Sequence, residues 1–303
     1  MSGENRELSY GGQAVMEGVM MRGSKAMAVA VRRPDGEIEL HSEPLNAFIY
    51  SGSISKIPFL RALTSLWDAL VLGIRTLMYS ADVALSEEED VEFSGPMAWG
   101  TVAVSFALGI GIFFIGPLLL VGLIDRYIAS SFVSNLIEGA IRMLFFVLYI
   151  WLIGFIPDIR RVFAYHGAEH KTINAYEAGA ELTPEQVETY STAHYRCGTA
   201  FLLSVMVISI LLFALLGRPP MVWRIVSRIV LIPVIAGIAY EWIKFTNRHR
   251  DKALIRAIAA PNLALQRLST REPDRSMLEV SIASLKRVLE TEGEIVASEP
   301  ARV

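Results

Sequence analysis

A single cysteine in 303 residues rules out an internal disulfide, and such sparing use suits a reducing compartment. Charge of neither sign is in excess: 28 Lys and Arg stand against 31 Asp and Glu, for a net charge of −3. With no basic surplus to neutralise phosphates, nucleic acid is not an expected partner. The first 55 residues lack any long apolar run, so a cleavable secretory leader is not expected and membrane insertion starts from an internal segment. What the chain has in plenty is apolar sequence. Hydrophobic residues make up 53% of it and the mean hydropathy is +0.42, more than an ordinary soluble domain carries, and gathered in blocks.

Four blocks read as membrane spans. Pro96 to Ile124 carries no charge and exceeds the roughly 20 residues a span needs, so a tilt or a kink near Gly116-Pro117 is expected. Leu136 to Ile156 follows, with Glu138 and Arg142 spaced i,i+4 near its start; then Thr199 to Leu216, short and uncharged; then Met221 to Ile243, with Arg224, Arg228 and a central Pro233. The three arginines are costly inside a bilayer and need partners, with Glu138 and Asp125 as candidates; they either form a polar path or snorkel to the outer headgroups. Basic residues crowd the 157–198 loop (Arg160, Arg161, Lys171, Arg196) and the segment after 243 (Lys244, Arg248, Arg250, Lys252, Arg256). The positive-inside rule then puts that loop and both termini in the cytoplasm of a bacterial inner membrane.

Outside the spans, residues 1–56 read as a small β-rich cytosolic layer. Ala26 to Val31 and Glu37 to Leu40 form a hairpin around Arg33-Pro34-Asp35-Gly36, where proline fixes φ and glycine accepts φ > 0. The glycine-rich run Gly11 to Gly23 suggests tight backbone geometry or a close approach. Residues 57–90 hold an amphipathic stretch (Leu60, Leu63, Leu66, Trp67, Leu70, Ile74, Leu77) and an acidic linker, Glu87-Glu88-Glu89-Asp90. A span there would put Asp68 near the bilayer centre, so the stretch is read as an interfacial helix. Residues 244–303 form a helical cytosolic tail, punctuated by Pro261 and Pro273, whose helix Ser276 to Leu289 is expected to pack on the N-terminal layer. The fold class is therefore an α-helical multi-pass membrane protein: a four-helix region over 96–243, an interfacial helix, a β-rich N-terminal layer, and a helical loop 157–198 and tail.

The chemistry concentrates in Tyr165-His166-Gly167-Ala168-Glu169-His170-Lys171. Three of the five histidines lie between 166 and 194, with Cys197 just beyond. On one helix over 159–179, His166 and His170 fall one turn apart on the same face, a common way to hold a divalent metal. His-x-x-Glu-His is the inverted zincin order, which would make Glu169 the general base. Asn174 and Glu177 continue that face; Glu177, about 10 Å along the axis from His170, is a neighbouring group rather than an easy ligand. Thr183 as N-cap and Pro184 at N1 start a second helix that returns the chain to the membrane. That return brings His194 near as a third ligand. Cys197 is either a further ligand or a small buried residue. Glu17, with Arg22 nearby, either completes a site beneath the membrane or faces solvent. Zinc suits imidazole and thiolate donors.

Four stretches carry a resemblance: Gly11 to Gly23, Tyr165 to Gly179, His194 to Phe201, and Leu265-Gln266-Arg267-Leu268-Ser269-Thr270-Arg271-Glu272-Pro273-Asp274. They resemble, in order and over nearly the whole chain, the YqhQ-like bacterial membrane proteins, domain of unknown function 1385. This sequence has Tyr195 where the family has proline after the histidine. The resemblance implies a metal-dependent enzyme of unspecified reaction and adds Arg271 and Glu272 to the candidate site. The leading expectation is a metal-dependent hydrolase in the lipid bilayer. The alternatives are a non-enzymatic scaffold or assembly factor for another membrane protein, and a transporter. Oligomeric state is not legible in the sequence.

Overall fold

A computed structural model describes residues 10–45, 57, 60–86, 96–217, 219–249 and 251–295. Four strands, β1 (Gly11–Val15), β2 (Gly18–Arg22), β3 (Ala26–Arg32) and β4 (Ile38–Pro44), form an antiparallel meander in the order β1-β2-β3-β4. The expected hairpin is β3–β4, with Gly36 at φ 91° in its turn. The glycine-rich run is the β1–β2 hairpin, whose two-residue turn places Glu17 at φ 48°, a conformation that costs a non-glycine residue free energy.

Side chains alternate across the strands, and both faces are covered. Val19, Met21, Ala28 and Ala30 face one core; Val15, Met20, Met27, Val29 and Val31 face the other. The helix α1 (Leu60–Ala84) covers the second face through Leu72, Tyr79 and Val83. The first is covered by α5 (Pro157–Glu177) and by α10 (Arg275–Glu292), which supplies Leu278, Leu285 and Leu289. The tail helix thus packs on the N-terminal layer as expected. The buried Ser284 hydroxyl of α10 accepts from Met21 N–H at 3.1 Å and donates to the Ala28 carbonyl at 3.0 Å, joining the helix to two strands.

Four segments are long and apolar enough to cross a membrane: Trp99–Tyr127, Ser131–Ile153, Gly198–Leu215 and Val226–Arg248. In element terms these are α2 (Pro96–Ile110) with α3 (Gly116–Ile124), then α4 (Ser131–Ile153), α7 (Gly198–Leu215) and α8 (Met221–Arg248). Their apolar side chains point outward, as lipid-facing surfaces do. α1 packs against α8 as well as the sheet, and its exposed stripe includes Leu66, Trp67 and Leu70. The acidic linker 87–90 and the side chains of Asp68 and Arg224 lie outside the described residues.

The expected irregularity in the first span is a π-helical turn, Gly111–Ile115, just before Pro117. Proline has no N–H for the carbonyl four residues back, which here is Phe113. Arg142 Nε of α4 donates to that carbonyl at 3.0 Å. The same guanidinium pairs with Glu138 at 2.8 Å, and Arg228 Nη2 takes the other carboxylate oxygen at 2.7 Å. Arg142 and Glu138 are buried. The snorkelling expected of Arg142 and Arg228 gives way to internal pairing, because one carboxylate and one freed carbonyl satisfy them at membrane depth. At the α4–α7 crossing a Cβ on Gly139 would come within 2.4 Å of Ile210 Cγ1, so the close approach needs glycine.

Two helices differ from expectation. The helix after Thr183 is a single turn, α6 (Pro184–Val187), and residues 188–197 run irregularly. Pro261 does not interrupt α9 (Ala253–Ser269); it lies inside that helix, which packs on α4 and α7.

Breaking a buried ion pair from one side leaves uncompensated charge, at about 3–5 kcal/mol. Glu138→Ala, which strands two guanidiniums, should sharply lower the thermal unfolding temperature in detergent. The triple replacement Glu138→Ala, Arg142→Met, Arg228→Met should recover much of that loss; no difference between the two variants would show that the network does not act as one unit.

Candidate metal centre

The centre is assembled from α5, the irregular 188–197 segment and the C-terminal end of α9. α5 is a polar helix, yet Tyr165, Glu169, His170, Lys171 and Thr172 on it are buried. Such burial is tolerable only when each polar group finds a partner. Several do so by serving the irregular segment, whose carbonyls have no strand or helix to pair with. His170 Nδ1 donates to Thr192 O at 2.5 Å and Lys171 Nζ to Glu188 O at 2.8 Å. Asn174 Nδ2 donates to the carbonyls of Ser191 and Ala193 at 2.8 and 3.0 Å.

His166, His170 and Cys197 converge, with one donor atom from each lying within 4.8 Å of the others. The hydrogen bonds fix which atoms these are. His166 Nδ1 is bonded to the Ser269 carbonyl at 2.8 Å and His170 Nδ1 to that of Thr192. A carbonyl can only accept, so each Nδ1 carries a proton, and in the neutral ring the lone pair is then left on Nε2. His166 Nε2 lies 3.2 Å from Cys197 Sγ, and His170 Nε2 is buried with no hydrogen-bond partner among the described residues. A buried lone pair with nothing to accept is costly in a finished protein. Two imidazoles whose second nitrogens are tied to carbonyls form the arrangement that orients metal-ligating histidines. Cys197 is the N-cap of α7, its sulfur accepting from Thr199 N–H at 3.3 Å.

The other expected site residues lie around this group. The ring of His194 is 5.5 Å from that of His170, but its Nε2 points to Glu177 Oε1 at 3.8 Å. Burial, together with the Arg196 guanidinium, pushes the His194 imidazole below its ordinary pKa against the pull of the Glu177 carboxylate. Glu177 pairs with Arg196, which also donates to the Tyr10 carbonyl. Glu169 is outside the converging group: its carboxyl lies against β1, accepting from Gly12 N–H. A Cβ on Gly12 would come within 3.0 Å of the Glu169 side chain. Glu17 is part-exposed and lies away from the converging group; Arg161 grips it through two nitrogens at 2.5 Å, and Tyr165 adds a third bond. Arg271 spends Nη1 on the carbonyls of Arg267, Leu268 and Thr270, and Glu272 pairs with Lys171 at 2.9 Å.

Three supporting residues escaped the sequence reading. Gln266 clamps the His194 backbone from both sides, its Oε1 accepting from the N–H and its Nε2 donating to the carbonyl. Ser269 contributes a backbone carbonyl, for which no residue type is a signal. At Gly167 a Cβ would lie 2.0 Å from the Arg271 carbonyl oxygen, so this glycine lets the end of α9 approach His166.

The family described as "Protein of unknown function (DUF1385)" matches residues 57–291. The chain is 34% identical over 296 residues to the "Uncharacterized protein YqhQ" of Bacillus subtilis (strain 168), covering 94% of this chain and 93% of that one. No solved structure matches.

Burial, against the nearby His166 ring and the Gly12 N–H, pushes the Glu169 carboxyl from the ordinary 4.5 up to about 7. Between those values the folded chain holds a proton that the unfolded chain has released. Stability therefore falls as pH rises through this window and levels off above it. At about 1.4 kcal/mol per unit, Glu169→Gln should make the chelator-treated protein roughly 3 kcal/mol more stable at pH 8. Near pH 4.5 the two proteins should converge. Parallel stability–pH curves for variant and wild type would remove the buried carboxyl from this account.

Proposed function

The chain belongs to the DUF1385 family, and we propose that it is a plasma-membrane metalloprotein. Its His166, His170 and Cys197 side chains hold one divalent transition metal on the cytoplasmic side. The observation that carries this reading is the partnerless, buried Nε2 of His170, aimed into a group that already contains a second Nε2 and a thiol sulfur. Two imidazoles and a thiolate favour zinc. Zinc at about 2.0–2.3 Å from each donor separates them by roughly 3.5 Å, close to the 3.2 Å between His166 Nε2 and Cys197 Sγ. The sulfur sits at the first turn of α7, where helix N–H groups favour a negative ligand atom. The cytoplasmic assignment rests on the basic residues of the 157–198 loop and the tail.

The geometry favours a metal that acts first as a clasp. Its ligands come from α5 and from the entry to α7, and their supporting carbonyls from the irregular segment and α9, so binding ties the extramembrane lobe to the spans. This is the chemistry of a scaffold or assembly factor. Hydrolysis is the second reading, and the ligand count favours it: three protein donors leave one position free, as catalytic zinc sites do. Zinc there would activate water as a Lewis acid. On that reading neutral His194, beside Glu177, is the proton acceptor facing His170, since Glu169 lies on the Gly12 side. The transporter reading has less support, because Arg142 and Arg228 are spent on Glu138 and a backbone carbonyl.

Elemental analysis of the detergent-purified full chain should find about one transition metal per protein. His166→Ala/His170→Ala should lose it, and Glu169→Gln should keep it. Cobalt substitution should give a thiolate charge-transfer band that Cys197→Ser abolishes. A cobalt spectrum that shifts on adding azide reports an open fourth position and favours hydrolysis; one that azide leaves unchanged favours the clasp. A metal-free wild type that takes up neither zinc nor cobalt would end the metalloprotein reading.

A further inference from the structure

A cavity of about 620 Å³ lies where α4 gives way to α5, on a different face of α5 from the two histidines. Phe155, Ala164 and Met277 form apolar wall, and Arg160, Arg271 and Glu272 lie at its polar side. Arg161 also lines it. Two of these four charges are already matched. Arg161 is bound to Glu17, and Glu272 to Lys171. Two guanidiniums remain. Arg160 has no ion-pair or hydrogen-bond partner for its side chain among the described residues. Arg271 commits Nη1 to three carbonyls, while its Nη2 lies beside Gly154, where a Cβ would approach it to 3.2 Å. The cavity therefore presents net positive charge over an apolar floor.

Its position fixes what can reach it. It opens at the end of the second span, directly after Ile153, where Trp151 and Phe155 are 49% and 67% exposed and stack edge to face at 5.0 Å. Aromatic side chains at a span's end mark the headgroup level of the bilayer. An arginine fork fits phosphate oxygens, and basic pockets beside spans take up anionic headgroups.

We propose that this cavity binds the phosphate headgroup of an anionic phospholipid of the surrounding leaflet. Arg160 and Arg271 receive the phosphate, and the first acyl carbons lie along Phe155 and Met277. The assignment is independent of the metal centre. Charge complementarity and depth carry it together: a soluble anion would use the arginines but not the apolar wall, and a neutral lipid would use the wall but not the arginines. Asp158, in the first turn of α5, is not among the residues that line the cavity.

The test uses the full chain, delipidated in neutral detergent, with bound ligand counted by native mass spectrometry. Dihexanoyl phosphatidylglycerol should bind at one saturable site, and Arg160→Ala should weaken it about tenfold, the worth of one charge-assisted hydrogen bond. Arg271→Lys, which keeps the charge and loses the planar fork, should weaken it also. Dihexanoyl phosphatidylcholine should bind at least tenfold more weakly to the wild type. Equal binding of the two lipids, unchanged affinity in Arg160→Ala, or inorganic phosphate competing at the same concentration as the lipid would each overturn the proposal. Folding of the variants is checked by their thermal unfolding curves; should Arg271→Lys fail to fold, Arg160→Ala alone decides.

Discussion

The structure depends on one constraint: a polar helix, α5, is enclosed on most sides, and its buried charged and amide donors must find acceptors. Hydrophobic burial alone cannot hold such a helix, because its sequence offers alanines, histidines, a lysine and a glutamate where a core helix would offer leucines. The gain comes instead from matching. The donors of His170, Lys171 and Asn174 meet the carbonyls of a segment that has no ladder of its own, and the carboxyl of Glu169 meets the amide of Gly12. Each bond is worth about 1 kcal/mol net, but leaving any one unmade would cost more. The irregular segment and the polar helix are therefore two halves of one solution, and the histidine–cysteine group forms where they meet.

The same rule governs the spans. Pro117 releases a carbonyl that lipid cannot satisfy, and Arg142 reaches across from the next helix to take it. That placement draws a cation into the bilayer, which Glu138 then compensates, and the second oxygen of Glu138 accepts Arg228. A backbone irregularity in one helix thus accounts for a charge pair in the second and for part of a charge in the last.

What was legible in the sequence follows from how far each signal reaches. The spans were legible because twenty apolar residues have one physical use, and the β3–β4 hairpin because Pro-Asp-Gly has few conformations. The amphipathic α10 declared its partner-seeking face, although not which face of the sheet it would cover. His166 and His170 came from helical spacing alone. Cys197 was a candidate from its place at the entry to the third span, but the supports of the centre were not readable, since the atoms that orient the imidazoles are carbonyls of Ser269 and Thr192, and a carbonyl belongs to every residue. The side that Glu169 takes was hidden for a related reason. It lies only 60° around the helix from His166, so spacing could not tell a carboxyl aimed at the imidazoles from one aimed at the β1 amide. The Thr183-Pro184 start was correctly placed, but the signals for a helix start say nothing about its length, and Lys171 and Asn174 won the following carbonyls.

The β-sheet is encoded in the first forty-five residues, yet one of its two faces is closed by α10, encoded in the last thirty; the bond from Met21 to Ser284 spans 263 positions. During synthesis the chain must therefore deliver four membrane helices before that face can be fully covered. Until then α5 alone shields it, and part of the sheet's apolar side stays open to solvent with unpaired edges beside it. Completion of the tail thus becomes the event that commits the protein, and a chain released early would present the quality-control machinery with a finished membrane region carrying a conspicuously unfinished lobe.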